Sequence, residues 1–183
     1  ASNFRNHPIV LDFEDAVEIG ERDSVMLAHD PAQQARVEAF RPGGPYARLL
    51  AERPVVLVID GNVFVHGGVL PMHLDYGLER MNAEVSNWLL GKGEPPEFIH
   101  TRQSPTWTRN YSDEVGEDDC QQLAEVLDRL GAARMIVGHT VQEDGIGSFC
   151  DDRVWCIDAG MSEYYGSRVE VLEIVGDRIR VLR

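Results

Sequence analysis

The 183 residues are 43% hydrophobic and 26% charged, enough apolar side chain for one sizeable core and an uncomfortable fit for two. Thirty-one acidic residues against 17 basic ones leave a formal net charge of -14, which repels nucleic-acid phosphates and anionic membrane surfaces, and no basic run reverses it locally. The longest apolar runs, such as Pro54–Ile59, fall far short of the roughly 20 residues a membrane helix requires, so neither nucleic acid nor membrane is expected as a partner.

The chain opens Ala1-Ser2-Asn3-Phe4, with no initiator Met and no basic-then-apolar signal segment, and reads as a processed or trimmed start. Residues 1–30 mix acidic and apolar side chains with too weak a period to assign. Asp30-Pro31 then marks a helix start, with Asp30 as cap, leading into Ala32 to Phe40. Pro42-Gly43-Gly44-Pro45 stops it, and a short helix from Tyr46 to Glu52 follows.

Pro54 to Ile59 is a continuous apolar run, followed by Asp60-Gly61 and then Asn62 to Val65. Two strand-like runs joined by Asp-Gly predict a β-hairpin, because both turn positions require positive φ. The second strand runs into His66-Gly67-Gly68. A helix is expected from about Leu74 to Leu90, with Leu74, Leu78, Met81, Val85 and Trp88 on one face and Gly91 as terminator. Residues 91–117 are rich in Gly, Pro, Ser, Thr and Asp, and a loop that long is usually functional or disordered. Asp119 to Leu130 reads as a helix that turns Leu123, Val126, Leu127 and Leu130 inward; it ends at Gly131 and feeds a strand, Arg134 to Val137, that runs into Gly138-His139-Thr140. The tail is strand-like at Val154 to Ile157, Val169 to Val175 and Arg178 to Leu182, the last two joined by Gly176-Asp177. Residues 31–183 are thus expected to form one α/β domain.

Cys120, Cys150 and Cys156 are odd in number and lack C-x-x-C spacing, which argues against a disulfide scaffold and a thiolate zinc site and favours a reducing cytoplasm. No G-x-S-x-G or P-loop signature is present, and Gly145-Ile146-Gly147 lacks the third glycine of a dinucleotide fingerprint. His29, His73 and His100 have no ligand-like spacing to one another.

His66 and His139 occupy the same kind of position, the carboxyl end of an apolar strand with glycine beside it. A lone strand-end histidine is more often a hydrogen-bonded structural residue. Finding the arrangement twice favours a shared site, since ligands collect at strand ends in α/β folds and neighbouring glycines allow close approach. Neutral imidazole suits Zn, Mn and Fe, and a metal pair would supply the positive charge that a chain this acidic needs to hold a phosphate. Arg109, in the polar loop beside Trp107, has the planar fork that binds phosphate oxygens in pairs, although an arginine in a long loop is more often a solvated surface residue.

Five segments in order, Gly43-Gly44-Pro45-Tyr46-Ala47-Arg48, Val65-His66-Gly67-Gly68, Pro105-Thr106-Trp107-Thr108-Arg109, Val137-Gly138-His139-Thr140 and Ile157-Asp158-Ala159-Gly160-Met161-Ser162, resemble the bacterial Shewanella-like phosphatases within the calcineurin-like metallophosphoesterases. The resemblance runs from about residue 31 to the end. It implies the C-terminal half of a metallophosphoesterase β-sandwich flanked by helices, with His66 and His139 as ligands of a divalent metal pair (Mn, Fe or Zn) and Arg109 as the phosphate clamp. Tyr164 and Tyr165 would overhang the site as substrate-binding residues, with edge-strand packing as the plainer alternative. The implied substrate is a phosphorylated protein or small phosphate ester.

The family's G-D-x-H, G-D-x-x-D-R and G-N-H-E segments have no counterpart here. Gly176-Asp177 is better read as a turn, and Asn6-His7 lacks the flanking Gly and Glu. The competing expectation is therefore a truncated or degenerate module acting as a non-catalytic binding domain.

Overall fold

A computed structural model of the chain describes residues 31–166 and 168–183. The Asp30 cap, the Asn6-His7 pair and everything else expected of residues 1–30 lie outside the described residues. The chain divides into two compact units, Ala1–Arg41 and Pro42–Arg183. Of the first, the described part is helix α1, Pro31–Phe40.

In the second unit, α2 (Pro45–Ala51) starts on a proline whose fixed φ suits the first helical turn. Strands β1 (Val56–Ile59) and β2 (Asn62–Val65) form the expected antiparallel hairpin, with Ile59 opposite Asn62. Asp60 and Gly61 take φ values of 48° and 71°, the doubly left-handed turn that the sequence demanded. The Asn82 side chain caps the outer edge of β1, accepting from the Val55 and Val56 N–H groups and donating to the Val56 carbonyl.

The single helix expected over Leu74–Leu90 is two helices, α3 (Pro71–Tyr76) and α4 (Leu78–Leu89). The break is at Gly77, whose φ of 97° and ψ of 116° no helix accommodates. The apolar period survives the break, with Met81 and Val85 buried on α4, which is why the spacing alone read as one element.

Helix α5 (Glu117–Leu130) starts two residues before the expected Asp119. Glu117, Asp118 and Asp119 place negative charge at its positive end, and the Asp119 carboxylate accepts from the Gly116 N–H at 3.0 Å. Leu123, Val126 and Leu127 are buried, Leu130 is half-buried, and Gly131 ends the helix in the left-handed conformation, with φ 61°.

Strands β3 (Arg134–Val137), β4 (Gly147–Phe149) and β5 (Val154–Cys156) complete a five-stranded mixed sheet of order β1-β2-β3-β5-β4. The short, polar β4 has no alternation to betray it in the sequence. Strands β2, β3 and β5 run parallel, with Val65 opposite Val137 and Val137 opposite Cys156. Their carboxyl ends therefore share one edge of the sheet. The last two strands, β6 (Val171–Val175) and β7 (Arg178–Leu182), form a separate antiparallel ribbon. The architecture is α/β, and no helix among the described residues is long and apolar enough to cross a membrane.

The cysteine reading needs correction. Cys120 on α5 and Cys150 in the β4–β5 turn form a disulfide across 30 residues, and Cys156 is the free thiol. Local spacing could not show this, because the pairing is made by the packing of α5 against the sheet. The argument from cysteines to a reducing compartment loses its ground. Burial pushes the Cys156 thiol up to about 12, and its S–H donates to the Tyr111 carbonyl.

His73 is a structural residue, only 2% exposed. Its Nδ1 accepts from the Leu70 N–H at 3.0 Å and its Nε2 donates to the Gln103 carbonyl at 2.8 Å, tying α3 to the loop after α4 as the neutral imidazole. Burial lowers its pKa below the usual value. The unfolded chain then takes up a proton as pH falls below about 6.5 while the folded chain resists it, so this contribution to stability is complete above that pH and is lost on acidification. His73→Ala is expected to cost about 3 kcal/mol at pH 7.5 and to flatten the fall in melting temperature between pH 7.5 and 5.5. A variant melting with the wild-type protein at both pH values would refute this.

Candidate functional site

The edge formed by the ends of β2, β3 and β5 carries three chemistry-bearing residues in register. His66 follows β2, His139 lies two residues past β3, and Asp158 lies two residues past β5. The Gly138 N–H donates to the His66 carbonyl at 2.8 Å and the Ile157 N–H to the Val137 carbonyl, so the parallel ladder continues one step beyond the strands.

His66 Nε2 lies 3.1 Å from His139 Nδ1, joining residues 73 apart in the chain. The two rings are tilted by 60° with centroids 4.9 Å apart. The exposed Trp107 ring stands 5.0 Å from the His139 ring on another side. His139 sits at φ 65°, a region that costs a non-glycine residue of order 1 kcal/mol or more and is retained where the surroundings impose it. Its Nε2 is buried and, among the described residues, meets no partner in hydrogen-bonding geometry.

Desolvation, the neighbouring His66 and then the Arg109 guanidinium lower the His139 pKa, against the opposing pull of Asp158 and the Trp107 backbone. The ring is held neutral near pH 7, the form in which imidazole can donate a lone pair to a metal. The same balance places Arg109 within electrostatic reach of His139. Arg109 itself is exposed, as a residue meant to meet a ligand from solvent would be.

The loop bearing Trp107 and Arg109 is brought to the edge by the two glycines after His66. The Gly67 and Gly68 N–H groups both donate to the Pro105 carbonyl, at 2.8 and 3.1 Å. A Cβ on Gly67 would lie 2.7 Å from the Thr108 carbonyl oxygen, and one on Gly68 would lie 2.9 Å from the Tyr111 ring. Far from being loose, the segment is pinned by buried Ser104, Thr108, Tyr111 and Ser112.

Tyr165 packs its Cβ where a side chain on Gly160 would stand, which hangs the Glu163–Tyr165 turn on the loop after Asp158. Tyr164 is 87% exposed, and its ring meets that of Tyr165 edge-on at 4.8 Å. Among the expected site residues, then, His66 and His139 touch, Arg109 lies in their field, Tyr165 joins the rim through Gly160, and Tyr164 faces solvent. Asp158 is an addition. Its signal was present, a polar residue at a strand end next to small residues, but a carboxylate there reads equally well as a turn.

The donor types and spacing suit a metal. Two nitrogens 3.1 Å apart fit two ligands of one ion, each about 2.0–2.1 Å from it and subtending roughly a right angle. They supply part of a shell, since the described residues contain no group of three or more His, Cys, Asp and Glu side chains able to hold an ion.

No family model matches the chain. Over 151 residues, 79% of the chain, it is 43% identical to Shewanella-like protein phosphatase 2 of Arabidopsis thaliana. The chain belongs to the Shewanella-like protein phosphatase family. It is also 24% identical to Shewanella-like protein phosphatase 1 of Plasmodium berghei over 177 residues, 90% of its length. The match spans 39% of the Arabidopsis protein and 49% of the Plasmodium one, less than half of each named Shewanella-like phosphatase. The crystal structure of a mutant cold-active protein tyrosine phosphatase superposes with a TM-score of 0.61 at 20% identity, covering 72% of this chain and 41% of that one, which shows a shared fold.

Proposed function

We propose that the chain carries the C-terminal part of a metal-dependent phosphoprotein phosphatase site, on one half of a metallophosphoesterase sandwich. The observation that carries this reading is the 3.1 Å approach of His66 Nε2 to His139 Nδ1 at adjacent parallel strand ends. His66 and His139 hold a divalent ion of a Mn, Fe or Zn pair. When bound, such a pair activates water and neutralises phosphoryl oxygens. Arg109 grips two phosphate oxygens with its fork and orients the ester. His139, kept neutral by burial and by its cationic neighbour, keeps its lone pair for the ion rather than for a proton. The Trp107 ring packs beside that imidazole, with centroids 5.0 Å apart. Tyr165, and Tyr164 beyond it, form a rim against which the phosphorylated side chain of a protein, or a small phosphate ester, would lie. With a net charge of -14, Arg109 and the metals must supply the attraction that the rest of the surface denies an anion.

The absence of a third ligand among the described residues favours a second reading, a non-catalytic phosphatase-like binding module. Hydrolysis of p-nitrophenyl phosphate with Mn separates the two. The 183 residues alone are expected to turn over slowly or not at all, because two imidazoles leave an ion under-coordinated, and joining them to a relative's carboxylate-bearing G-D-x-H, G-D-x-x-D-R and G-N-H-E segments is expected to restore turnover. Normal turnover from the 183 residues alone would overturn the incompleteness. Failure of both proteins to turn over would overturn the enzyme.

A further inference from the structure

We propose that Gln142 is a positioning residue that sets the spacing between the Arg109 loop and the His139 loop; the inference rests on the phosphatase reading of the site. Three loops end at the site edge, and each is bonded to Gln142. Its side-chain Nε2 donates to the Ser112 carbonyl at 3.1 Å and to the Thr140 carbonyl at 3.0 Å. Its backbone N–H donates to the Asp158 carbonyl at 2.8 Å, and its own carbonyl accepts from the Gly145 N–H at 3.0 Å.

These bonds lead directly to the reacting groups. The Arg109 carbonyl accepts from the Ser112 and Asp113 N–H groups, each at 3.0 Å, so Arg109 and Ser112 close one tight turn. Ser112 is 4% exposed, and its hydroxyl lies 2.7 Å from that of Thr140, the residue after His139. The clamp and the imidazole pair are thus joined by two parallel bridges, Ser112–Thr140 and Ser112–Gln142. Arg109 is exposed and, among the described residues, no hydrogen bond or ion pair holds its side chain, so the position of its backbone decides where the fork can reach.

The bridge needs an amide. A carboxylate would have no proton to give and would face two carbonyl oxygens, and an aliphatic side chain of similar size would leave both carbonyls without a donor. A loop-closing residue of purely structural value would lower stability without moving one loop relative to the other. Gln142 is expected to do the reverse in larger measure.

The test uses Gln142→Leu and Gln142→Glu in the whole chain, with Asn82→Ala as a control that loosens the remote edge of β1. In the metal-free protein the Trp107 and His139 rings, 5.0 Å apart, give a ring-to-ring nuclear Overhauser contact between two of the linked loops. Both Gln142 variants are expected to lose it while Asn82→Ala keeps it. With Mn present, and with the chain joined to a relative's G-D-x-H, G-D-x-x-D-R and G-N-H-E segments, calorimetry should show inorganic phosphate binding weakened about tenfold or more by the Gln142 changes. Should Gln142→Leu not fold, Gln142→Asn, which keeps the amide but shortens its reach, gives the same reading. A wild-type ring contact in the Gln142 variants overturns the proposal. If the wild-type chain binds no phosphate even when joined to those segments, the phosphatase reading fails, and the ring contact, which needs neither metal nor phosphate, still decides whether Gln142 positions the loops.

Discussion

In the chain joined to a relative's G-D-x-H, G-D-x-x-D-R and G-N-H-E segments and loaded with metal, Arg109→Ala is expected to lower kcat/KM for a phosphate ester by about 100-fold, with metal content unchanged. The guanidinium is a cationic side chain that lowers the His139 pKa, and it takes no part in the His66–His139 contact itself. Removing it deletes a charge-assisted fork from a protein of net charge -14, where no neighbouring excess of positive charge can compensate. Arg109→Lys should recover part of the loss, because a point charge replaces the fork but cannot grip two oxygens in one plane. Steady-state kinetics with elemental analysis on the same samples checks this. An Arg109→Ala protein that keeps wild-type kcat/KM would remove Arg109 from the site.

Gly67→Ala should damage the site without touching a chemical group. The added methyl would stand 2.7 Å from the Thr108 carbonyl oxygen, 3.0 Å from the Pro105 carbonyl oxygen and 3.1 Å from the Thr108 nitrogen. All three are backbone atoms, and the Pro105 carbonyl is already fixed by the Gly67 and Gly68 N–H groups. Either the Pro105–Thr108 segment moves out, taking Trp107 and Arg109 with it, or the end of β2 moves and takes His66. Overpacking of this kind costs about 2 kcal/mol, a fall in melting temperature of about 4–8 °C for a chain of this size. Phosphate affinity should fall with it. Wild-type melting and wild-type affinity in Gly67→Ala would show that the loop is free to yield.

The local signals in the sequence translated well where a residue type forces a backbone shape. Asp60-Gly61 predicted the hairpin because few other pairs adopt its turn, and Gly131 marked the end of α5 for the same reason. Gly77 was hidden inside an apolar period that continues across it, since periodicity reports which face is buried and not whether the axis is continuous. The three-residue β4 is recruited by pairing with β5 and carries no pattern of its own. The Cys120–Cys150 bond is likewise a tertiary fact.

For the site, the sequence marked His66 and His139 as strand-end residues but could not say that their strands are neighbours. That follows from the parallel pairing of β2 with β3, a contact between segments separated by three helices and a long loop. The segments that suggested the family also hold Asp158, whose role depends on β5 lying next to β3. The bridges through Ser112, Thr140 and Gln142 were illegible, because serine, threonine and glutamine in loops carry no periodicity and their partners are backbone carbonyls.

If His66 and His139 hold the same ion, neither can be lost without losing the metal. The wild-type chain, His66→Ala and His139→Ala are to be loaded with Mn, passed through gel filtration and analysed for bound metal. The wild-type chain should retain metal weakly and below two ions per chain. Each alanine variant should retain none, with affinity reduced more than about 100-fold, since changes one shell further out already cost 10- to 100-fold. Metal content in either variant equal to that of the wild-type chain would contradict the shared site.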